Sequence, residues 1–207
     1  MKISIVDYGV GNIQSIKNAL DRLGVRTVEV TGNISKLNKA DGLILPGVGA
    51  FGACAARLKS NGFSDTLTEL VVGKKKPILG ICVGMQLMAD SSREGGFHKG
   101  LGWIPGKIKR IDVQQNLPVP HVSWNDIHIS TPNVLFGKVA SRSHFYFDHS
   151  YHYLGEEKYV SATCEYGGSL NVAINLDNIF GVQFHPEKSA FSGLRIFRGY
   201  LNWVEQC

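Results

Sequence analysis

A cysteine set between two glycines, where a strand gives way to a helix, is the first feature of this chain suited to chemistry. The segment Pro77-Ile78-Leu79-Gly80-Ile81-Cys82-Val83-Gly84-Met85-Gln86-Leu87 begins as an apolar run and turns helical after Cys82. Gly80 and Gly84 stand two residues to either side. Small neighbours at those offsets permit a tight, strained turn that exposes the nucleophile. A helix N-terminus placed there favours negative charge on the sulfur, and its free N–H groups can receive an oxyanion. Free cysteine is ordinarily a buried, inert thiol. The Gly-x-Cys-x-Gly frame argues against that fate here.

A thiolate nucleophile needs a base, and the base needs an orienting group. The apolar run 180–184 ends in His185-Pro186-Glu187. Pro186 fixes its own φ and stiffens the segment. In extended backbone His185 and Glu187 face the same way. Glu187 can then hold one imidazole nitrogen while the other meets Cys82, which fixes the tautomer and stabilises the imidazolium. Of the six other histidines, His121 and His149 also lie near turns. His98, His128, His144 and His152 lack a carboxylate at a strand end.

These groups need a scaffold, and the chain pattern supplies one. Residues 2–6 read as a strand, followed by a helix marked by Ile13, Ile16, Leu20 and Leu23 and stopped by Gly24. Strands are expected at 25–30, 43–45 and 77–81, and helices at 51–60, 64–72 and from 84 to 89. Such alternation predicts a parallel sheet covered on both faces. Runs at 144–147, 158–163, 170–176 and 179–184 predict antiparallel additions to that sheet, and a last helix is expected over about 190–204. The expected fold class is α/β, a mostly parallel central sheet flanked by helices with antiparallel strand additions, in one domain over 1–207.

Composition sets outer limits. The chain has 207 residues, 43% hydrophobic and 19% charged, which excludes disorder as its main state. No apolar stretch reaches the roughly 20 residues of a membrane span, and the start reads as a strand rather than a signal peptide. A cytoplasmic location is expected, with no membrane contact. Cys54, Cys82, Cys164 and Cys207 form no CxxC pair, so reduced thiols are expected and neither a metal nor a cofactor is called for. The net charge of +5 has one dense run, Lys74-Lys75-Lys76, read as a solvated loop rather than a nucleic-acid patch.

Gly80-Ile-Cys82-Val-Gly84-Met-Gln86 together with His185-Pro186-Glu187 resembles the class I, triad-type glutamine amidotransferases. Within that class the chain is similar to the glutaminase subunits of imidazole glycerol phosphate synthases. The segments that carry this narrower likeness are Asp7–Asn12, Pro46–Gly52, Gly100–Pro105, Pro120–Asn125, Tyr146–Tyr151 and His185–Ser189, so it spans nearly the whole chain. The resemblance implies that Cys82 attacks the glutamine carboxamide, that His185 and Glu187 complete the triad, and that the N–H groups of Val48 and Val83 form the oxyanion hole. It implies a peptide flip in Gly47-Val48, coupled to the partner. Gly49, Gln86, Glu94, His149 and Ser150 match positions that hold L-glutamine. Asn12, Trp124, Tyr146 and Lys188 match the interface with a (β/α)₈ cyclase subunit, giving a heterodimer that makes imidazole glycerol phosphate and AICAR.

Two residues depart from the pattern. Ser123 stands where glycine is usual, and Asp148 where a small apolar residue is usual. They leave open a related role, in which the ammonia amidates a surface nucleotide sugar. A cysteine hydrolase acting alone is the alternative of another class, and a non-catalytic assembly subunit is a third.

Overall fold

The computed structural model describes residues 1–113, 117–140 and 142–207. Strand and helix alternate through the N-terminal part: β1 (Lys2–Val6), α1 (Ile13–Arg22), β2 (Thr27–Thr31), α2 (Ile34–Asn38), β3 (Gly42–Leu45), α3 (Phe51–Ser60), α4 (Phe63–Thr68), β4 (Ile78–Ile81) and α5 (Val83–Gln86). Shorter strands follow, namely β5 (Ser91–Ser92), β6 (His98–Lys99), β7 (Lys107–Arg110), β8 (His121–Asp126) and β9 (His128–Ile129). Then come β10 (His144–His149), β11 (Tyr151–Leu154), β12 (Val160–Glu165), β13 (Ser169–Leu176), β14 (Ile179–Val182) and the long helix α6 (Ala190–Val204).

The main sheet runs β2-β1-β3-β4-β14-β13-β11-β7-β5-β6, with β12 branching from β13 and pairing β9. From β2 to β14 every neighbour is parallel. β3, β4 and β14 are buried at every residue, as an apolar run without alternation requires when helices cover both faces. Beyond β14 the pairs with β13, β11 and β7 are antiparallel. The strand order reverses direction after β2, so right-handed crossovers put α1 on one face and α2, α3 and α4 on the other, while α6 packs beside α1. Ligand crevices in such sheets open at the carboxyl ends of the strands.

Helix α6 buries Ile196, Phe197, Tyr200, Leu201 and Val204, the stripe expected of a 3.6-residue period. Each large apolar side chain so buried is worth about 1.5–3 kcal/mol. The Tyr200 hydroxyl donates to the Leu43 carbonyl at 2.6 Å, with the Pro77 carbonyl 3.0 Å away, which pins the helix to the N-terminal ends of β3 and β4. At Gly193 a Cβ would lie 1.8 Å from the Pro186 carbonyl oxygen, so glycine there lets α6 carry the His185–Glu187 turn at contact distance.

Several elements depart from their expected limits, among them β12 (Val160–Glu165 against 158–163) and β14 (Ile179–Val182 against 179–184). β2 begins at Thr27 rather than 25, because Gly24, at φ +78°, and Val25 close α1: their N–H groups donate to Asp21 and Leu20. The helix expected over 64–72 is α4 followed by a π-turn at Glu69–Gly73. α5 stops at Gln86 because the carbonyls of Leu87, Met88 and Ala89 accept instead from Leu101, Trp103, Ile104 and Gly102. The run at 144–147 does not join the main sheet. It is part of β10, which pairs β8 in a separate antiparallel ribbon. The other side of β10 is taken by the His185 turn: His185 N–H donates to the Tyr146 carbonyl, and Tyr146 N–H to the Ser189 hydroxyl.

Candidate active site

Cys82 leaves β4 at φ +54° and ψ −114°, the strained geometry expected of a nucleophile elbow, but the residue is only 4% exposed and reaches solvent through the cleft it lines. Its neighbours must be glycine. A Cβ on Gly84 would lie 1.9 Å from the Leu45 carbonyl oxygen, and one on Gly80 would lie 2.8 Å from both the Gly84 oxygen and the Met85 nitrogen. The elbow is tied to β14 by the Cys82 N–H, which donates to the Val182 carbonyl at 2.8 Å. α5 has only four residues, so the sulfur gains less from a helix field than a full helix would give.

His185 lies at the end of β14, 3% exposed, with Nδ1 2.8 Å from Glu187 Oε1. The two are not set on the same side of an extended segment, the arrangement expected from the sequence. A 3₁₀ turn at Pro186–Lys188 folds the carboxylate back onto the ring. The Glu187 side chain is fully buried, and Asn12 at the start of α1 donates to the same oxygen at 3.3 Å. Burial works against charge on His185. The hydrogen bonds to Cys82 and Glu187, with their charges, outweigh it and raise the imidazole pKa to about 10. A cation is thus held where a nucleophilic sulfur needs its counter-charge.

A cleft of about 280 Å³ opens over these groups, walled by Val48, Gly49, Cys82, Val83, Gln86, Glu94, His149, Ser150, His185 and Lys188, with Asp148 and Pro120 on its lining. Every residue expected to catalyse, stabilise an oxyanion or hold substrate lines it except Glu187, which stands behind His185.

The loop after β3 is pinned through three successive carbonyls. Pro46 accepts from the Tyr8 hydroxyl at 2.8 Å, Gly47 from Val83 N–H at 3.3 Å, and Val48 from the Cys54 thiol at 3.4 Å. Burial pushes the Tyr8 and Cys54 ionisations up, so both remain protonated donors at neutral pH. The middle bond is the informative one. It occupies one of the two expected oxyanion donors, Val83 N–H, and points the Gly47 carbonyl where an oxyanion belongs. The expected rotation of the Gly47–Val48 peptide would release that donor and turn Val48 N–H inward, at the cost of one net hydrogen bond of about 1 kcal/mol.

The substrate-site candidates reach the cleft in different ways. Glu94 uses one carboxylate oxygen to accept the Phe51 N–H at 2.7 Å, capping α3. His149 is braced at both ring nitrogens: Nδ1 donates to the Tyr151 carbonyl at 2.9 Å, so Nε2 accepts from His121 Nδ1 at 3.0 Å. His121 Nε2 then faces Asn125 Nδ2 at 3.4 Å, and the ring stacks against Phe147 and Tyr166. Burial lowers the pKa values to about 3 for His149 and about 4 for His121, so both are neutral at physiological pH. With both ring nitrogens engaged, His149 offers the cleft its main chain.

Trp124 is 51% exposed and meets Tyr146 edge-on at 6.1 Å, while Lys188 Nζ lies 5.2 Å from the Tyr146 ring centroid. These three form one surface beside the cleft, and Asn12 reaches the triad from behind. Ser123 and Asp148 sit in the same ribbon, opposite Phe147 and Val122, and the Asp148 carbonyl is 4.0 Å from the Cys82 sulfur. Sequence reasoning missed Gln183, which is fully buried, with its amide nitrogen 3.7 Å from that sulfur. A lone amide inside the apolar run 180–184 was the available signal.

A cysteine on a strained strand-to-helix turn, a buried His–Glu pair and a glycine-flanked loop bonded to the Val83 N–H, all on an α/β sheet, are an arrangement suited to thiol-dependent acyl transfer. The model of the class-I glutamine amidotransferase family matches residues 4–196. "Imidazole glycerol phosphate synthase subunit HisH 2" of Vibrio vulnificus is 46% identical, covering 99% of this chain and 96% of that one. Subunit HisH of Pelagibacter ubique is 44% identical, covering 98% and 100%. Among solved structures, a glutamine amidotransferase superposes with a TM-score of 0.75 at 20% identity, covering 99% of this chain and 100% of that one. A chain of PurLQS from Thermotoga maritima gives 0.72 at 17% identity, covering 98% of each. At such identities these structures speak for the fold alone. The chain belongs to the class-I glutamine amidotransferases and, within them, to the HisH subunits of imidazole glycerol phosphate synthase.

Proposed function

We propose that this chain hydrolyses L-glutamine to glutamate and ammonia, and passes the ammonia to a (β/α)₈ cyclase subunit that makes imidazole glycerol phosphate and AICAR in histidine biosynthesis. The observation that carries the reading is the Cys82–His185–Glu187 array under a cleft whose oxyanion donor is occupied by Gly47. The names of the relatives support the histidine pathway over nucleotide-sugar amidation, and no feature of the cleft favours a hydrolase acting alone. We read residues 1–207 as one amidotransferase domain working in the cytoplasm. Among the described residues, no helix is long and apolar enough to cross a membrane.

In this reading the Cys82 sulfur bonds to the carboxamide carbon of glutamine. The oxyanion is received by Val83 N–H and, after the peptide rotates, by Val48 N–H. His185 gives its proton to the departing nitrogen, and ammonia leaves behind a glutamyl thioester. Water then adds with its proton going to His185, the C–S bond breaks, and glutamate departs. Glu187 keeps the imidazole oriented through both steps. Gly49, Gln86, Glu94, His149 and Ser150 hold the amino-acid end. Asn12, Trp124, Tyr146 and Lys188 meet the partner, whose docking turns the Gly47–Val48 peptide.

The test is reconstitution. Mixed with the histidine-pathway cyclase of the same organism, the chain is expected to form a stable 1:1 complex that makes imidazole glycerol phosphate from glutamine. Absence of both complex and product would remove the histidine assignment.

A further inference from the structure

We propose that Gln183 is a further catalytic residue of this site, a neutral donor that holds the Cys82 sulfur as thiolate. The proposal rests on the glutaminase reading above and adds to it a group on the reacting atom. The orientation of the Gln183 amide follows from a chain of bonds with one consistent direction. It starts at the Tyr151 carbonyl, which can only accept. Gln86 Nε2 donates to that carbonyl at 3.0 Å and to Gln183 Oε1 at 3.0 Å. With its oxygen facing Gln86, Gln183 must turn its nitrogen toward the sulfur, where it sits at 3.7 Å. The reverse orientation would set N–H against N–H at Gln86 and a carbonyl against the sulfur.

The backbone holds this arrangement in place. Gln183 N–H donates to the Val172 carbonyl at 2.8 Å, so the residue continues the β13 pairing past the end of β14. Gln183 is 0% exposed and Gln86 only 3%. Burying an amide is costly unless its groups are bonded, and the partners of the Gln183 side chain are Gln86 and the nucleophile. A donor that stays put in a dry site stabilises an anion more than the same donor would in water. His185 supplies charge to the sulfur, and Gln183 supplies a dipole that stays in place when His185 gives up its proton. Gln86 is then a positioning residue, lining the cleft while fixing the amide behind it.

The other ionisable groups around the sulfur are His185 after β14, Tyr8 after β1 and Cys54 on α3. Glu94, Asp148, His149 and Lys188 stand around the cleft. Substitution at 183 leaves all of them in place. The experiment follows alkylation of Cys82 by iodoacetamide against pH in the full chain, resolved by peptide mass spectrometry from the other three cysteines. Gln183→Met keeps the volume and removes the donor. Its alkylation midpoint is expected to rise by about one pH unit, a tenfold loss of thiolate below the midpoint. Gln183→Glu turns an acceptor and a negative charge toward the sulfur and is expected to move the midpoint further. Gln86→Met frees the amide without removing it and is expected to give a smaller rise. In the complex with the cyclase, kcat of the Gln183 variants for glutamine falls with the thiolate fraction while their KM stays within about twofold. If whichever of the two Gln183 variants folds keeps its midpoint within about 0.2 units of the parent, the proposal is wrong. Loss of the glutaminase reading itself would look different, with no turnover of glutamine by the unsubstituted complex whatever the alkylation profile.

Discussion

Cys82→Ser is expected to lower glutamine-dependent synthesis by the complex at least about 10³-fold, while synthesis from added ammonium salt continues. The first effect follows from the site. At φ +54° the residue is held on a turn whose glycine neighbours admit no displacement, so serine takes the same place. A hydroxyl there ionises far less readily than a thiol, and the His185 charge and the Gln183 amide cannot make up the difference. Losses of this size are usual when the nucleophile of a cooperating array is removed. The second effect follows from the proposed division of labour, in which ammonia made by this chain is consumed by the other. Liquid chromatography of products from glutamine and from ammonium, side by side, checks both. If the variant retains more than about a tenth of its glutamine-dependent rate, the chemistry belongs elsewhere.

Gly84→Ala is expected to destabilise the fold strongly. Its Cβ would meet the Leu45 oxygen at 1.9 Å, the Leu45 carbon at 2.9 Å and the Pro46 carbon at 3.2 Å. All three are main-chain atoms of β3 and the loop beyond it, so no side chain can turn aside. Relief requires parting β3 from the elbow, and overpacking of that kind costs about 3 kcal/mol or more. For a chain of this size the melting temperature should fall by roughly 6–12 °C. Gly73→Ala is the control, since a Cβ there meets nothing within 4 Å and the backbone is not left-handed. It is expected to melt within about 2 °C of the parent, and equal melting of the two variants would refute the steric account.

The nucleophile and its base were legible because each combines an unusual residue with local punctuation. Gly80, Cys82 and Gly84 impose a turn whatever surrounds them, and His185-Pro186-Glu187 ends an apolar run. The parallel half of the sheet was legible for a related reason, since unbroken apolar strands between helical patterns have few other solutions. The ribbon of β8 and β10 was not. Alternation in His144–His149 reports that one face is buried, but not which strand pairs with it, and the His185 turn occupies its other side. Gln183 was hidden because its meaning depends on Gln86, 97 residues away, and on a sulfur 101 residues away. The braced ring of His149 was equally invisible. Its role depends on His121, 28 residues off, and on a carbonyl that only the fold brings within reach.

The state of the oxyanion loop ties geometry to coupling. Tyr8 and Cys54 hold the carbonyls on either side, so the Gly47–Val48 peptide can turn while its neighbours stay. In the proposed mechanism Val83 N–H, which donates to Gly47 in this structure, reaches substrate only after that peptide turns. Removing a single oxyanion donor from an acyl-transfer site costs about 10²–10³ in rate. The measurement that bears most directly on the whole account is therefore glutamate release by the isolated chain, compared with the same chain saturated by the cyclase subunit and its ligand. The account predicts little activity alone and a rise of about 10² or more in the complex. Full glutaminase activity without the partner would contradict it.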